Sequence, residues 1–575
     1  MKKTVSRLLK YTVGYKKYIA LCLLSAFISV TATLAAPKFV AAAIDEMYGS
    51  GRVNFEGIFK ILICIAAAAA VSALGSRLTA RSTNIIAYNT SKKLRSDIFG
   101  KLGKVPVSFI DSSPHGDLVN RTVNDIDQIS DGLLQGFTQL FTGLTTIIGT
   151  LAFMLFTDLI TAAVVIILTP LSILTASVIA RLTHRMFMEQ SITQGKLTAF
   201  VNEMVGNQKL VKAFGHESEN EKSFFLLNKR LYKCGVDAQF YSSLTNPSTR
   251  FVNNLVYAAV GIVGAMRVIF GGLTIGGVSC FLSYANQYTK PFNEISGVLT
   301  QLQSAIASAE RVFELLDAPE EPSDSLNAVR KNSIEGNVTL ENVSFSYVAE
   351  KPLLKNISVE VKKGQKIAIV GPTGCGKTTL INLLLRFYDV NEGRILLDGT
   401  DIREMKRSDV LGAYTMVLQE TWLQSGTIKE NIAYGKPHAT DEEIISAGKA
   451  AYAHSFIMRM PNGYDTVIGS DGGALSQGQK QLLCAARAML SGAPILILDE
   501  ATSNIDTRTE IKVQQAFEKL SSGRTSFIVA HRLSTIKEAD LILVMKDGNI
   551  IEQGTHEELL SSDTFYKELF ESQFK

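Results

Sequence analysis

The residues of this chain that could do chemistry begin with a glycine-rich stretch in its second half. The stretch fits the pattern G-x-x-x-x-G-K-[ST] and comprises Gly371, Pro372, Thr373, Gly374, Cys375, Gly376, Lys377, Thr378 and Thr379. Glycines let backbone N–H groups point at phosphate oxygens, and the N-terminus of a following helix adds partial positive charge. Lys377 is predicted to reach the β- and γ-phosphates, and Thr378 to ligate Mg²⁺. A plain glycine-rich turn is the alternative.

Two neighbouring acids supply a second candidate group. The apolar run 495–498 ends in Asp499 and Glu500. Behind a phosphate-binding loop, we expect Asp499 to hold Mg²⁺ through its water shell and Glu500 to polarise the attacking water. A general base of this kind contributes about 10²–10⁴-fold in rate. The alternative is that the two acids only cap the end of a strand.

The loop must be positioned by a strand and a helix. Residues 366–370 are almost wholly apolar and predict a buried strand, and residues 380–385 predict a helix after the loop. The strand–loop–helix order is the context that the phosphate-binding reading requires.

Composition suggests that part of the chain lies in lipid. The 575 residues exceed one ordinary domain. Charged residues make up 19%, below the roughly 25% of soluble domains. A net charge of +4 is too small to indicate nucleic acid. The six cysteines show neither paired nor metal-ligand spacing, so we expect reduced thiols.

Apolar segments, uncharged except for Arg267, predict six membrane-spanning helices, each needing about 20 residues. An even number returns the chain to the cytoplasm, and the basic residues before the first segment predict a cytoplasmic N-terminus. A signal peptide cleaved near residues 41–43 is the alternative for the first apolar segment. That segment is long for a signal peptide, and further apolar segments follow it. The segments are residues 18–37, 61–76, 133–157, 159–180 and 251–289, the last holding two spans that turn near Gly271.

The long connections after the second and fourth spans are polar with a helical pattern. We expect helices that extend into the cytoplasm and turn near residues 109–117 and 214–219; ordinary solvated hairpins are the alternative. Arg267 lies within the last apolar stretch and is expected either to reach the outer interface or to contact a substrate cavity. The polar residues of the last two spans either line a cavity or join helices: Asn253, Asn254, Tyr284, Asn286, Gln287 and Tyr288.

A polar, proline-containing segment at residues 318–324 marks the predicted domain boundary. After it, residues 338–345 alternate between apolar and polar, which is typical of a half-buried strand. We therefore predict a transmembrane domain at 1–318, a linker at 319–334 and an α/β domain at 335–575.

The stretch Leu475-Ser476-Gln477-Gly478-Gln479 resembles the signature L-S-G-G-Q of ABC transporters. Six spans followed by one nucleotide-binding domain resemble a type IV ABC exporter half-transporter. The likeness covers essentially the whole chain and is most specific in residues 335–575. It implies a helical membrane domain joined to an α/β P-loop domain, ATP hydrolysis with Mg²⁺, and a multi-pass plasma-membrane protein whose nucleotide-binding domain is cytoplasmic.

The resemblance also implies a role for single residues. Tyr347 matches the aromatic that stacks on adenine, and Gln419 matches a glutamine that senses Mg²⁺. Asp506 matches the D-loop aspartate, and His531 matches the switch histidine at the γ-phosphate. The implied catalytic residues are Glu500, His531, Lys377 and Gln419. Ser476, Gly478 and Gln479 would contact ATP held by the P-loop of a second subunit.

Three departures from the family pattern bear on the partner. Ser470 stands where glutamate is usual, Gln477 replaces the first glycine of the signature, and residues 503–506 read Ser-Asn-Ile-Asp where Ser-Ala-Leu-Asp is common. This combination resembles the catalytically complete subunit of bacterial heterodimeric multidrug exporters. We therefore predict a second ABC half-transporter as partner, with a homodimer left open.

The predicted function is ATP-driven export of amphipathic small molecules, drugs or lipids, by alternating access. A homodimeric lipid flippase or a peptide exporter is the alternative within the class. An ATP-gated channel or regulatory subunit is an alternative from another class, and a soluble P-loop kinase conflicts with the six apolar spans and the signature motif. The sequence names neither substrate nor partner.

Cys375 carries one further expectation. It lies inside the loop beside Lys377 and the predicted helix N-terminus, which favours a reactive thiolate. We expect a maleimide to block ATP hydrolysis and bound ATP to protect against it.

Overall fold

The computed structural model describes residues 2–48, 53–324, 328–331, 333–348, 350–418, 421–469, 473, 475–499, 506–530, 536–561 and 565–574. It divides into two compact units. The first unit comprises Met1–Val105 and Ser113–Pro319, and the second comprises Pro106–Ser112 and Glu320–Lys575.

Within the described residues, the first unit is built from helices, six of them long, in the order that the sequence predicts. The helix bounds are α1 (Lys2–Val13), α2 (Lys16–Tyr48), α3 (Phe55–Leu102), α4 (Val107–Ser112), α5 (His115–Thr122), α6 (Asn124–Thr157), α7 (Leu159–Gly206), α8 (Gln208–Phe214), α9 (Glu217–Ile269) and α10 (Ile275–Leu316). The long helices are α2, α3, α6, α7, α9 and α10, and the short helix α4 belongs to the second unit.

Among the described residues, four stretches are long and apolar enough to cross a membrane. They are Lys16–Met47, Phe55–Leu102, His115–Thr157 and Arg250–Ile269, with a shorter apolar helix at Leu159–Leu171. Helix α10 mixes its apolar residues with serine, asparagine, glutamine and Lys290, so composition alone does not single it out.

Hydroxyl groups hold α2 against α3. Ser25 Oγ lies 2.8 Å from Thr79 Oγ1, and Thr33 Oγ1 lies 2.7 Å from the Ser72 hydroxyl. A Cβ at Gly75 would come within 2.9 Å of the Ser25 carbonyl oxygen, so the backbones approach closely there. Small residues and cross-helix hydrogen bonds are the usual means of joining helices in lipid.

Arg267 forms an ion pair that neither sequence expectation named. Its guanidinium donates to Asp158 Oδ1 at 2.7 Å, and Asp158 caps α7 by accepting from the Thr161 backbone N–H at 2.9 Å. The pair ties the α6–α7 turn to the end of α9. The sequence did not reveal it because the two residues are 109 positions apart.

Tyr284, a polar residue of the last two spans, joins two helices. This is one of the two alternatives expected, the other being that it lines a cavity. The Tyr284 hydroxyl is buried and donates to the Leu34 carbonyl oxygen at 2.8 Å, linking α10 to α2.

Both turns of the long helical extensions fall at the predicted places. The first holds α4, between α3 and α5. The second ends α8 at Phe214, where Gly215 adopts a φ of +65° and α9 begins at Glu217.

The second unit combines three sheets with short helices. Its strands are β1 (Val338–Phe345), β2 (Leu354–Val361), β3 (Lys366–Val370), β4 (Glu392–Leu397), β5 (Thr400–Asp401), β6 (Tyr414–Val417), β7 (Gly426–Thr427), β8 (Val467–Ile468), β9 (Ile495–Asp499), β10 (Thr525–Val529), β11 (Leu541–Lys546) and β12 (Asn549–Gly554). Its other helices are α11 (Lys377–Leu384), α12 (Arg407–Ala413), α13 (Ile428–Ala433), α14 (Asp441–Ala450), α15 (His454–Ile457), α16 (Gln477–Ser491), α17 (Thr507–Ser521), α18 (His556–Ser561) and α19 (Phe565–Phe574), with a 3₁₀ turn at Gly463–Asp465.

The largest sheet carries the candidate site. Its strand order is β12-β11-β3-β10-β9-β6, and β3, β10, β9 and β6 run parallel. A four-stranded antiparallel sheet has the order β2-β1-β4-β5, and β7 pairs with β8. Strand β9 separates two hydrophobic clusters, because Ile495 and Ile497 belong to one and Leu496 and Leu498 to the other.

Candidate nucleotide-binding site

Two glycines shape the loop that joins β3 to α11. A Cβ at Gly371 would lie 2.2 Å from the Met545 carbonyl oxygen. Gly376 has a φ of +106°, and a Cβ there would lie 2.5 Å from Leu354 Cδ2. Only glycine fits both positions without a shift of the neighbouring strands. The loop therefore keeps its curl because β2 and β11 pack directly against it.

Lys377 is the first residue of α11, and its ammonium group lies over the loop. The Nζ atom donates to the carbonyl oxygens of Gly371 at 2.8 Å and Pro372 at 3.1 Å. Thr378, the next residue, has an exposed side chain, whereas Thr379 is buried. A cation and a helix N-terminus thus meet at the edge of the sheet, an arrangement that favours anions.

The Cys375 thiol does not fit the expectation of ready reaction with a maleimide. Its side chain is only 2% exposed, because it packs beneath Gly371, whose Cβ would lie 2.8 Å from the sulfur. Modification would require the loop to open, so we expect it to be slow.

Asp499 lies at the same edge of the sheet as the loop. Val529 on β10 pairs with Asp499 on β9 and with Ile369 on β3, so the carboxyl ends of the three strands are level. Side chains alternate along a strand, which places Asp499 on the same face as Ile497 and the cluster that contains α11 residues.

These oxygen donors fit a magnesium ion. Mg²⁺ prefers one or two carboxylates together with waters and phosphate oxygens over an all-protein cage. Within the described part of the chain, no three acidic, histidine or cysteine residues cluster as a metal cage. The Thr378 hydroxyl and the Asp499 carboxylate are oxygen ligands, the type that Mg²⁺ prefers. Two protein ligands leave its other coordination positions to waters and nucleotide phosphates.

Three predicted catalytic residues, Gln419, Glu500 and His531, lie outside the described residues. The same holds for Ser470 and for residues 503–505. In sequence, Glu500 follows β9 directly and His531 follows β10 by two positions.

Tyr347 stands beside α11 with much of its ring exposed. It is 48% exposed, and its hydroxyl lies 3.4 Å from Thr379 Oγ1. Phe345 and Tyr388 support it edge-on, with ring centroids at 4.9 and 5.0 Å. A fixed ring with one open face suits stacking against a planar base.

Sequence reasoning missed Tyr388 as a residue of this site. Its hydroxyl donates to Asp111 Oδ2 on α4 at 2.6 Å, within the second unit. Burial, followed by this hydrogen bond, raises the pKa of Tyr388 well above the usual value for tyrosine, so it remains a donor. No local motif marks Tyr388; the signal is a contact across 277 positions.

The signature residues begin helix α16. Ser476 accepts from the Gln479 backbone N–H at 3.3 Å, and Gln479 Oε1 accepts from the Ser476 N–H at 3.0 Å. This reciprocal cap leaves the serine exposed and Gly478 buried. Leu475 and Leu482 anchor the helix in the second hydrophobic cluster, whereas the P-loop and α11 rest on the first. The described signature residues therefore lie on the opposite face of the sheet from α11.

Asp506 caps α17 by accepting from the Thr509 backbone N–H at 2.9 Å. Hydrogen bonds from Thr509 lower the pKa of this exposed carboxyl below the usual value for aspartate.

Arg487, near the end of α16, holds the segment around Trp422, which follows the predicted catalytic residue Gln419 in sequence. It donates to the carbonyl oxygens of Asn431 at 2.9 Å and Trp422 at 3.1 Å, and its guanidinium lies 5.2 Å from the Tyr434 ring centroid. Burial lowers the pKa of Arg487. The residues around Trp422 are thus tied to the helix that the signature begins.

Two family models match the chain. The ABC transporter transmembrane region matches residues 19–292, and the ABC transporter model matches residues 354–503. The second match contains the P-loop, β9 and the signature.

Relatives match nearly the whole chain. A "Fatty acid ABC transporter ATP-binding/permease protein" of Mycobacterium bovis is 41% identical over 92% of this chain and 83% of its own length. An "ATP-dependent lipid A-core flippase" of Syntrophus aciditrophicus is 34% identical over 99% of this chain and 94% of its own length. Among solved structures, a bacterial Atm1-family ABC exporter with ATP bound is 29% identical, with a TM-score of 0.78 over 97% of this chain and 98% of its own.

Proposed function

This chain is a half-transporter of the type IV ABC exporter family, and we propose that it exports amphipathic small molecules, drugs or lipids, by alternating access as half of a dimer. It is a multi-pass plasma-membrane protein with a cytoplasmic nucleotide-binding domain, and it couples ATP hydrolysis to transport. The observation that carries the proposal is a P-loop at the centre of a parallel sheet, in one chain with six long helices.

We assign the nucleotide contacts as follows. The backbone of residues 371–379 and the Lys377 ammonium hold the phosphates, and the exposed face of Tyr347 takes the adenine. Thr378 and Asp499 would hold Mg²⁺, with Gln419 as a further ligand. Bound Mg²⁺ supplies charge neutralisation at the β- and γ-phosphates.

The chemistry needs positioning more than covalent steps. Glu500 accepts a proton from the attacking water, and His531 and Lys377 stabilise negative charge on the γ-phosphoryl group as it transfers from ADP to the water oxygen. Because phosphoryl transfer passes through a charge-rich transition state, fixed cations and donors carry most of the rate acceleration.

One chain would hold only part of each site. We propose that Ser476, Gly478, Gln479 and Asp506 serve the ATP that is bound to the P-loop of the other subunit. Support comes from the signature lying on the opposite face of the sheet from α11. The departures at Ser470, Gln477 and Asn504 support a heterodimer in which this chain supplies the intact Walker side.

ATP turnover in lipid nanodiscs, with the partner half-transporter co-expressed if the chain alone is inactive, tests the nucleotide assignment. We expect Lys377→Ala to lower turnover by about 10²–10³-fold, since it removes a cation from the transition state. The matched control is Lys363→Ala, an exposed lysine near the same sheet, which we expect to leave turnover unchanged. Equal turnover in the two variants would contradict the assignment.

Particle mass on the same sample tests the assembly. A heterodimer predicts that this chain purified alone is monomeric or an inactive dimer, and that co-expression with a half-transporter altered in its Walker B acid restores turnover. An active dimer of this chain, silenced by Glu500→Gln, would instead establish the homodimer.

A lipid or fatty acid as substrate is favoured by one further observation. A cavity of about 510 Å³ lies between α9 and α10. Apolar residues such as Val268 and Ile275 line it together with Tyr257, Ser283 and Asn286. A mostly apolar wall with a few hydrogen-bonding groups suits an acyl chain with a polar end. Stimulation of turnover by fatty acids but not by cationic drugs would select this candidate.

A further inference from the structure

Helix α1 presents a basic surface beside the first membrane-spanning helix. Lys3 and Lys10 are seven residues apart, which places them on one face of α1, and both are exposed. Lys16 and Lys17 begin α2 after a turn at Gly14 and Tyr15, and both are exposed. We call these four lysines the basic surface.

The same helix exposes apolar side chains next to its lysines. Leu9 is 50% exposed and Val13 is 46% exposed. The stripe of Thr4, Leu8 and Thr12 is instead buried against the rest of the first unit. A helix with lysines beside exposed aliphatic residues, joined by two residues to a membrane span, lies in the headgroup region of the bilayer.

We propose that the basic surface binds headgroups of anionic phospholipids in the cytoplasmic leaflet, and that α1 transmits their presence to the end of α10. Charge and position identify the occupant, because four exposed lysines flank the start of Lys16–Met47, a stretch apolar enough to cross the membrane. Juxtamembrane lysines are attracted to anionic lipid surfaces.

Arg7 is the link from α1 to α10. Its Nη1 atom donates to both carboxylate oxygens of Asp317, at 2.7 and 2.6 Å. Its guanidinium carbon also lies 4.4 Å from the ring centroid of Phe313. Asp317 caps the C-terminus of α10, and the chain enters the second unit three residues later, at Glu320. The position of α1 therefore constrains where the chain leaves the membrane unit.

Tyr11 holds the other side of α1. Its hydroxyl donates to Asp97 Oδ2 on α3 at 2.9 Å, and its ring stacks on Phe313 with centroids 6.1 Å apart. Burial and the neighbouring Asp97 raise the pKa of Tyr11 to about 12, so the phenol stays a donor at any physiological pH. Helix α1 thus contacts both α3 and α10, so a shift of α1 would change its contacts with either helix.

The lipid-binding half of the proposal is tested without any activity. The full chain is solubilised, mixed with phosphatidylglycerol or phosphatidylcholine, and examined by native mass spectrometry. Changing all four lysines of the basic surface to glutamine should weaken phosphatidylglycerol retention by about fivefold per lysine and leave phosphatidylcholine retention and particle mass unchanged. The matched control carries glutamine at four exposed lysines of the second unit: Lys351, Lys355, Lys362 and Lys363. Undiminished phosphatidylglycerol retention in the first variant, or equal loss in the control, overturns the proposal.

The transmission half rests on the proposed ATPase activity and is tested through it. Turnover is compared in nanodiscs of phosphatidylcholine with and without phosphatidylglycerol. We expect anionic lipid to raise turnover by up to about fivefold, the factor that an exposed ion pair supports. Arg7→Gln should abolish this response while phosphatidylglycerol is still retained, and Arg7→Lys should keep it. An undiminished response in Arg7→Gln overturns transmission. Absence of turnover even when the partner half-transporter is co-expressed contradicts the proposed function and leaves the binding result standing.

Discussion

At the scale of single residues, the P-loop works because its neighbours leave no room for side chains. Met545 approaches the loop at Gly371, and Leu354 approaches it at Gly376. Met545 comes from β11, far from the loop in sequence, and Leu354 comes from β2, the strand that precedes β3. The sequence motif specifies both glycines. The close packing of Met545 and Leu354 explains why a side chain is not tolerated at Gly371 or Gly376.

Gly376→Ala should lower the affinity for ATP. The stability of the rest of the second unit should change less. The new Cβ would meet Leu354 at 2.5 Å, and the left-handed backbone costs a non-glycine residue about 1–3 kcal/mol. Gly399→Ala is the matched control, because Gly399 has a φ of +77° and no described atom lies within 4 Å of its would-be Cβ. Nucleotide binding is measured by titration with a fluorescent ATP analogue. Equal affinities in the two variants would show that the clash is relieved at no cost to the loop.

Tyr388→Phe separates two roles of the Tyr388 side chain, which are the packing of its ring against Tyr347 and the hydrogen bond of its hydroxyl to Asp111. The ring would still support Tyr347, so the KM for ATP should change little. The hydrogen bond to Asp111 is lost, and a bond to a charged acceptor contributes about 1.5–3 kcal/mol. Because α4 is joined in sequence to α3 and α5, we expect weaker stimulation of turnover by transported substrate. Tyr388→Ala should in addition raise the KM. If Tyr388→Phe raises the KM as much as Tyr388→Ala does, the hydroxyl has no separate role.

At the scale of elements, segments that lie far apart in sequence are held together by an ion pair and a hydrogen bond that no sequence periodicity reveals. The six long helices and both cytoplasmic turns follow from apolar runs and helical patterns, because those signals are local. Asp158–Arg267 and Tyr388–Asp111 depend on which turns the fold brings together. The sequence therefore marks Arg267 as a charge within an apolar stretch, but it does not predict Asp158 as its partner.

Arg267→Ala should destabilise the membrane unit. It would leave the nearly buried Asp158 carboxylate unpaired; the loss should stay below the about 3–5 kcal/mol of fully buried pairs, because the Arg267 side chain is 29% exposed. Thermal unfolding in detergent is the measurement, and Arg250→Ala, an exposed arginine on the same helix, is the control. The double variant Asp158→Asn with Arg267→Gln should recover stability. A double variant as unstable as Arg267→Ala would show that the charge pairing is irrelevant.

At the scale of the whole molecule, the chain joins a nucleotide-binding unit to a helical unit in which α9 and α10 line a mostly apolar cavity. The P-loop, Asp499 and Tyr347 gather at one part of the second unit, whereas the signature residues cap a helix on the opposite face of the sheet. Sequence motifs located all of these residues. Their distribution between two subunits stays a prediction, since it concerns a second chain.

Asn286→Ala should change the response to substrate. Asn286 lines the cavity between α9 and α10, so its loss removes a polar contact worth about 0.5–1.5 kcal/mol. We expect the substrate concentration for half-maximal stimulation of turnover to rise severalfold. Thr31→Ala is the control, because the Thr31 hydroxyl bonds within its own helix to the Phe27 carbonyl oxygen. Equal responses in the two variants would place the substrate elsewhere.

The most direct test of ATP-driven export is uptake into inverted membrane vesicles. The vesicles carry this chain, with its partner half-transporter if one is needed, and a fluorescent acyl compound is added outside. The account predicts accumulation that requires hydrolysable ATP, that disappears in Lys377→Ala, and that persists in Lys363→Ala. Equal accumulation without ATP, or in the Lys377→Ala vesicles, would contradict it.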